Sequence, residues 1–139
     1  MVANNQIFIS YADPDQEFAR ELGKKLSTYG LTVWSADVEL ATGENWALEI
    51  GKALDKSDAM VVVLSPDTLN SRVMNSEIDY ALTNERFAGR IFPVVVRRTP
   101  KKNIPWIFEQ MNLLHTNDPG KVGREVLKAL NNNHGEKAK

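Results

Sequence analysis

The chain has 139 residues and no cysteine, which excludes a disulfide scaffold and thiolate chemistry; at this length one hydrophobic core suffices without a disulfide or metal staple. Its 42% hydrophobic and 25% charged residues place it among ordinary globular domains rather than disordered or fibrous chains. A net charge of -1 is too balanced to steer the chain toward nucleic acid or an anionic membrane, so neither is an expected partner.

Residues 1–5 read as a short tail with no basic segment leading into an apolar run, so no secretory leader is expected. Ile7-Phe8-Ile9 is the first apolar run. Asp13-Pro14 then offers a capping side chain before a proline suited to a first helical position, and Phe18, Leu22 and Leu26 follow at helical spacing. Gly30 supplies the residue with positive φ that ends this helix before a strand at Leu31-Thr32-Val33-Trp34. Trp46, Ile50 and Leu54 mark a second helix. Ala59-Met60-Val61-Val62-Val63-Leu64 is a continuous apolar run, followed by Ser65-Pro66 as a helix start and by Ile78 and Leu82 on one helical face. The next run is Ile91-Phe92-Pro93-Val94-Val95-Val96, and a weaker strand is read at Met111–His115. Asp118-Pro119 opens a last helix carrying Val122, Val126 and Leu130, and residues 131–139 read as a flexible polar tail.

Runs without period-two alternation belong to strands covered on both faces, which means a parallel sheet. The order βαβαβα predicts one α/β domain over residues 6–130, flavodoxin-like and doubly wound, with about five parallel strands flanked by helices. The longest apolar runs fall far short of the roughly 20 residues a membrane helix needs, so a soluble, cytoplasmic protein is expected. In such sheets ligands bind beyond the carboxyl ends of the strands. The residues to watch are therefore Tyr11, Ala12 and Asp13, then Trp34–Gly43, Ser65–Glu77 and Arg97–Trp106.

No G-x-G-x-x-G and no G-x-x-x-x-G-K-[ST] occurs, which sets aside dinucleotide-binding dehydrogenases and P-loop NTPases. The third strand ends in Leu64-Ser65-Pro66 where a receiver domain needs an aspartate. His115 and His134 are isolated, so no metal site is expected.

The remaining pieces, taken in order, resemble the Toll/interleukin-receptor (TIR) domain family over about residues 6–130. Gln6–Tyr11 resembles the family's first signature, an aromatic-containing strand ending in Ser-Tyr. Gly30–Asp37 followed by Leu40-Ala41-Thr42-Gly43 resembles the second, and Ser71 with Ser76-Glu77-Ile78-Asp79-Tyr80-Ala81-Leu82 is similar to the helix that follows the third strand. Ile91–Val96 and Pro105-Trp106 match the later elements only loosely. The glutamate helix looks most like that of the bacterial, NAD+-cleaving group.

That resemblance implies a TIR fold and an NAD+ glycohydrolase or cyclase with Glu77 as its catalytic carboxylate; read from spacing alone, Glu77 is a solvated helix residue. It implies NAD+ as substrate with no cofactor, the products being nicotinamide and ADP-ribose or a cyclic isomer, in bacterial anti-phage immunity or virulence. One carboxylate suffices chemically: most glycosidases need a second to protonate an alkoxide, whereas nicotinamide leaves a cationic nitrogen as a neutral molecule. Tyr11, Ala12, Asp13, Trp34, Asp37 and Ser71 match substrate-side positions. Trp34 also reads as a core tryptophan, Asp13 as a helix cap and Ser71 as a helix-start residue. Val38, Glu39, Leu40, Ala41, Thr42 and Gly43 match the family's assembly loop, which implies TIR-TIR self-association, with a fused or separate sensor or effector as a further partner; a plain surface loop is the other reading. The chain departs from the family at Val73, where a tryptophan often stands four residues before the glutamate, and this leaves open whether the product is free ADP-ribose or a cyclised form. A non-catalytic adaptor and a nucleoside deoxyribosyltransferase-like enzyme are the competing functions.

Overall fold

The computed structural model describes residues 5–37, 51–66, 87, 89–104, 106–111 and 113–137. The expectations placed on Trp46, Ile50, Ile78 and Leu82 lie outside these residues.

Five parallel strands form one sheet in the order β2-β1-β3-β4-β5, with β1 at Gln6–Tyr11, β2 at Thr32–Asp37, β3 at Ala59–Leu64, β4 at Ile91–Val95 and β5 at Leu114–His115. This is the flavodoxin-like order, in which the chain winds outward from β1 to β2, then returns to the other side of β1 to lay down β3. The doubly wound α/β expectation is met.

The central strands have no solvent face. All six residues of β3 are buried, and in β1 only the two end residues are partly exposed. On one face Ile7, Ile9, Val61, Val63, Phe92 and Val94 pack against Ala19, Leu22 and Leu26 of α1 (Gln16–Thr28) and against Val122, Val126 and Leu130 of the C-terminal helix (Pro119–Lys137). On the other, Phe8, Met60, Val62, Leu64, Ile91 and Val95 meet Ala53 and Leu54 of the helical residues 51–56, with Phe87, Ile104 and Phe108. Alternation along each strand delivers its side chains to the two cores in turn, which is why the runs read as unbroken apolar sequence.

Gly30 sits at φ 84° and its N–H donates to the Ser27 carbonyl at 3.0 Å, ending α1 as expected. Asp118 caps the C-terminal helix, its Oδ1 accepting from the Gly120 N–H at 2.9 Å. That helix continues through Lys137, past the domain end expected at residue 130, although Leu130 is its last buried side chain among those described. The start expected at Asp13-Pro14 is corrected. Asp13–Asp15 form a 3-10 turn closed by the Asp15 N–H on the Ala12 carbonyl at 2.8 Å, and α1 begins at Gln16. Asp15 occupies the cap position but its side chain makes no capping bond, because it is drawn to a distant arginine described below.

The amino edge of the sheet is closed by Gln6. Its main-chain N–H donates to Asp58 Oδ2 at 3.1 Å, and its Nε2 donates to the Ala53 carbonyl at 3.0 Å and to Ser57 Oγ at 2.9 Å. Among the described residues no helix is long and apolar enough to cross a membrane.

Leu22 is fully buried between α1 and the sheet, whereas Trp106 is 71% exposed. Leu22→Ala should therefore lower unfolding free energy by about 3 kcal/mol, the usual cost of a cavity in a core, and Trp106→Ala should shift it by less than about 0.5 kcal/mol. Urea unfolding followed by circular dichroism reads both.

Candidate functional site at the carboxyl edge of the sheet

Tyr11 ends β1 and Asp37 ends β2, and the two are register partners across the adjacent strands. Tyr11 and Trp34 nevertheless leave the sheet on opposite faces. Tyr11 follows the parity of Ile7 and Ile9 and packs, partly buried, against the core beneath α1. Trp34 is a register partner of Phe8 and stacks on it, with ring centroids 5.2 Å apart and planes 18° from parallel, so it borders the other core. Ala12, fully buried, belongs to that second core with Trp34. The main chain of Asp13 opens the 3-10 turn. Glu77, Ser71, Val73 and the loop Val38–Gly43 lie outside the described residues.

One pair was not anticipated from sequence. Arg97, two residues past the end of β4, donates from Nε to Asp15 Oδ1 at 2.7 Å and from Nη2 to Asp15 Oδ2 at 3.3 Å. The Asp15 side chain is only 2% exposed and that of Arg97 43%, so the carboxylate is the desolvated member and the guanidinium keeps part of its hydration. The fork is bidentate, the geometry in which arginine fixes the orientation as well as the distance of a carboxylate. Since β3 lies between β1 and β4, the pair bridges the loops on either side of the β3 exit. Thr99 Oγ1 donates to the Arg97 carbonyl at 2.9 Å and tightens the same loop. No local pattern links residues 82 apart; the available signal was only that both follow central parallel strands, at the edge where such sheets bind ligands.

A cleft of about 340 Å³ opens at the far end of the same edge, lined by Thr99, Lys101, Ile104, Glu109, Leu113 and His115. Neither Tyr11 nor Trp34 lines it, and it lies beside β4 and β5 whereas Trp34 is on β2, the opposite margin of the sheet. His115, read from sequence only as an isolated histidine ending a strand, is thus part of a concave surface. Among the described residues no group of histidine, aspartate and glutamate is arranged to hold a metal ion.

An open parallel sheet of order β2-β1-β3-β4-β5 with helices on both faces defines a flavodoxin-like α/β domain. Comparison with solved structures agrees: a diflavin flavoprotein A3 from Nostoc sp. aligns with a TM-score of 0.58 at 12% identity, over 95% of this chain and 99% of that one. The family model for the TIR domain matches residues 7–127, and this chain belongs to that family. The TIR domain of the Toll-related receptor TRR-2 from Hydra magnipapillata aligns with a TM-score of 0.64 at 24% identity, covering 96% of this chain and 98% of that one. The RPS4 and RRS1 TIR domain heterodimer gives a TM-score of 0.68 at 14% identity, over 90% of this chain and 98% of the matched chain.

Relatives in sequence include the NAD(+) hydrolase TcpA of Theionarchaea archaeon (strain DG-70-1), 36% identical over 80 residues, 57% of this chain and 24% of that protein. The probable 2' cyclic ADP-D-ribose synthase TcpO of Methanobrevibacter olleyae is 30% identical over 90 residues, 64% of this chain and 26% of its own length. The 2' cyclic ADP-D-ribose synthase AbTIR of Acinetobacter baumannii (strain 1295743) is 28% identical over 99 residues, 70% and 37% respectively. The matched regions thus span about a quarter to just over a third of these relatives.

The unequal exposure of the ion pair sets a measurable asymmetry. Arg97→Ala strands a buried carboxylate and should cost about 2–3 kcal/mol, whereas Asp15→Ala strands a half-exposed guanidinium that water can serve and should cost about 1 kcal/mol. Equal shifts in the urea midpoint for the two variants would contradict this reading.

Proposed function

We propose that this chain is an NAD+-cleaving TIR domain that releases nicotinamide and forms ADP-ribose or a cyclic isomer of it, with Glu77 as the catalytic carboxylate. The observation that carries the reading is its membership in the TIR family together with its similarity to an NAD(+) hydrolase and to 2' cyclic ADP-D-ribose synthases at 28–36% identity. Glu77-Ile78-Asp79-Tyr80-Ala81-Leu82 supplies the matching helix motif, and the absence of a glycine-rich phosphate cradle turns the reading away from dehydrogenase chemistry.

In this mechanism the bond from the nicotinamide nitrogen to C1 of the ribose breaks, and its electron pair leaves with nicotinamide as a neutral base. The anomeric carbon gains oxocarbenium character. A preorganised carboxylate such as Glu77 stabilises that charge and accepts hydrogen bonds from the ribose hydroxyls, most effectively where water is excluded. Attack by water gives ADP-ribose, and attack by a nucleophilic group of the same molecule gives a cyclic product. Trp34 would meet the cationic nicotinamide with the ring face turned away from Phe8. Asp13, Asp37 and Ser71 would line the nucleotide, while Tyr11, whose ring packs on the other face of the sheet, and Ala12, which is fully buried, would contribute through the turn they lead into.

The same reading proposes self-association through Val38, Glu39, Leu40, Ala41, Thr42 and Gly43, control by a fused or separate sensor, and a cytoplasmic role in bacterial immune signalling or virulence, where an effector would read the product.

Concentrated protein incubated with NAD+ is expected to release nicotinamide, and Glu77→Ala should reduce the rate at least about 100-fold, as loss of a principal charge-stabilising group does. Mass spectrometry of the products separates linear from cyclic ADP-ribose. Activity surviving in Glu77→Ala refutes the assignment. No nicotinamide release at any concentration, with crowding agents present, would instead mark an adaptor, and cleavage of deoxynucleosides in place of NAD+ would mark a deoxyribosyltransferase-like enzyme.

A further inference from the structure

We infer that the Asp15–Arg97 ion pair is a positioning clasp for the nucleotide side of the site, and that Arg97 governs substrate affinity without touching the substrate; this rests on the NAD+-cleaving reading above.

Three observations carry the inference. Asp15 stands where an aspartate ordinarily turns back to cap its own helix, yet it makes no capping bond and instead accepts a two-point bond from Arg97. Its carboxylate is nearly inaccessible, so the pair is a fixed internal contact rather than a surface encounter between mobile side chains. Finally, the Asp15 N–H is bonded to the Ala12 carbonyl, so holding Asp15 also holds the short turn that leads from Tyr11 through Ala12 and Asp13 into α1.

The clasp therefore joins the turn after β1 to the loop after β4, across the exit of the strand whose chain leads on to Glu77. Fixing these two loops sets the spacing between main-chain groups that would receive the nucleotide. Without the fork the turn gains freedom, and binding must then supply the ordering the clasp now provides. The cost falls on affinity rather than on the bond-breaking step, because Arg97 is not a reacting group.

The test compares wild type with Asp15→Asn, Arg97→Gln, Arg97→Lys and the Asp15→Asn/Arg97→Gln double variant, all assayed well below their unfolding midpoints. The expected result is a KM for NAD+ raised about tenfold in Arg97→Gln with kcat within about threefold of wild type, partial recovery in Arg97→Lys, and a double variant no worse than the poorer single one. Amide hydrogen exchange should quicken at Ala12–Asp15 in the same variants, a readout independent of turnover. Variants that unfold at lower temperature but keep the wild-type KM would overturn the clasp while leaving NAD+ cleavage intact. So would a drop in kcat at constant KM. A wild type inert toward NAD+ overturns the cleavage reading and the clasp together.

Discussion

The structure depends on a parallel sheet covered on both faces. Strands β1 and β3 run through the middle of it with apolar side chains delivered alternately to two cores, so neither strand has a face on which to display chemistry. Polar groups are displaced to the strand ends. Among the described residues the buried polar ones are Ser10, Asp15, Ser57 and Ser65; Ser57 serves the amino edge with Gln6, and the other three lie where β1 and β3 run out at the carboxyl edge. Enclosing polar atoms is unfavourable unless partners are arranged for them, so their concentration at one edge marks where the fold has built something other than packing. The same edge is where strand direction of winding reverses and where open α/β sheets take their ligands.

This division explains what the sequence could and could not reveal. Continuous apolar runs at Ile7-Phe8-Ile9, Ala59–Leu64 and Ile91–Val96 announced the buried strands β1, β3 and β4 because no solvent face interrupts them. Gly30 and Asp118-Pro119 were legible because a positive φ and a capped helix start are local events decided within three or four residues. Asp13-Pro14 obeyed the same local grammar and misled. There the Asp15 N–H closes a 3-10 turn on the Ala12 carbonyl, so α1 starts only at Gln16, and the Asp15 side chain bonds Arg97 in another loop instead of capping that helix. The faces of Tyr11 and Trp34 failed to emerge for a related reason: alternation gives the parity within one strand, but only the register of β1 against β2 relates one parity to the other. At the candidate site, motif resemblance gave expectations only for separate positions along the chain, whereas the tie between the β1 and β4 loops is visible only in the fold.

Fold and chemistry separate sharply in this molecule. A flavoprotein and TIR domains share its architecture at 12–24% identity, so the sheet by itself selects no reaction. Selection must come from the residues at the edge. On the proposed reading a nicotinamide nucleotide would be held without a glycine-rich turn and positioned by ordinary loops, which are mobile unless something restrains them. On that reading the restraint would be as much a part of the site as the groups it restrains.

An apolar contact between the same two loops would hold them together with less desolvation, and replacing buried ion pairs by hydrophobic residues often leaves stability unchanged or improved. What an apolar contact lacks is direction. Leucine against valine tolerates sliding by a few tenths of an ångström with little penalty, whereas the planar guanidinium meets Asp15 at two oxygens, 2.7 and 3.3 Å away, and so resists rotation as well as translation. Placing the arginine head half in water limits the desolvation to the carboxylate, whose own helix forgoes a cap to make the bond. An arrangement that sacrifices a local stabilising contact for a distant directional one is hard to account for by stability alone; it is accounted for if the relative placement of the β1 and β4 loops is what has to be kept.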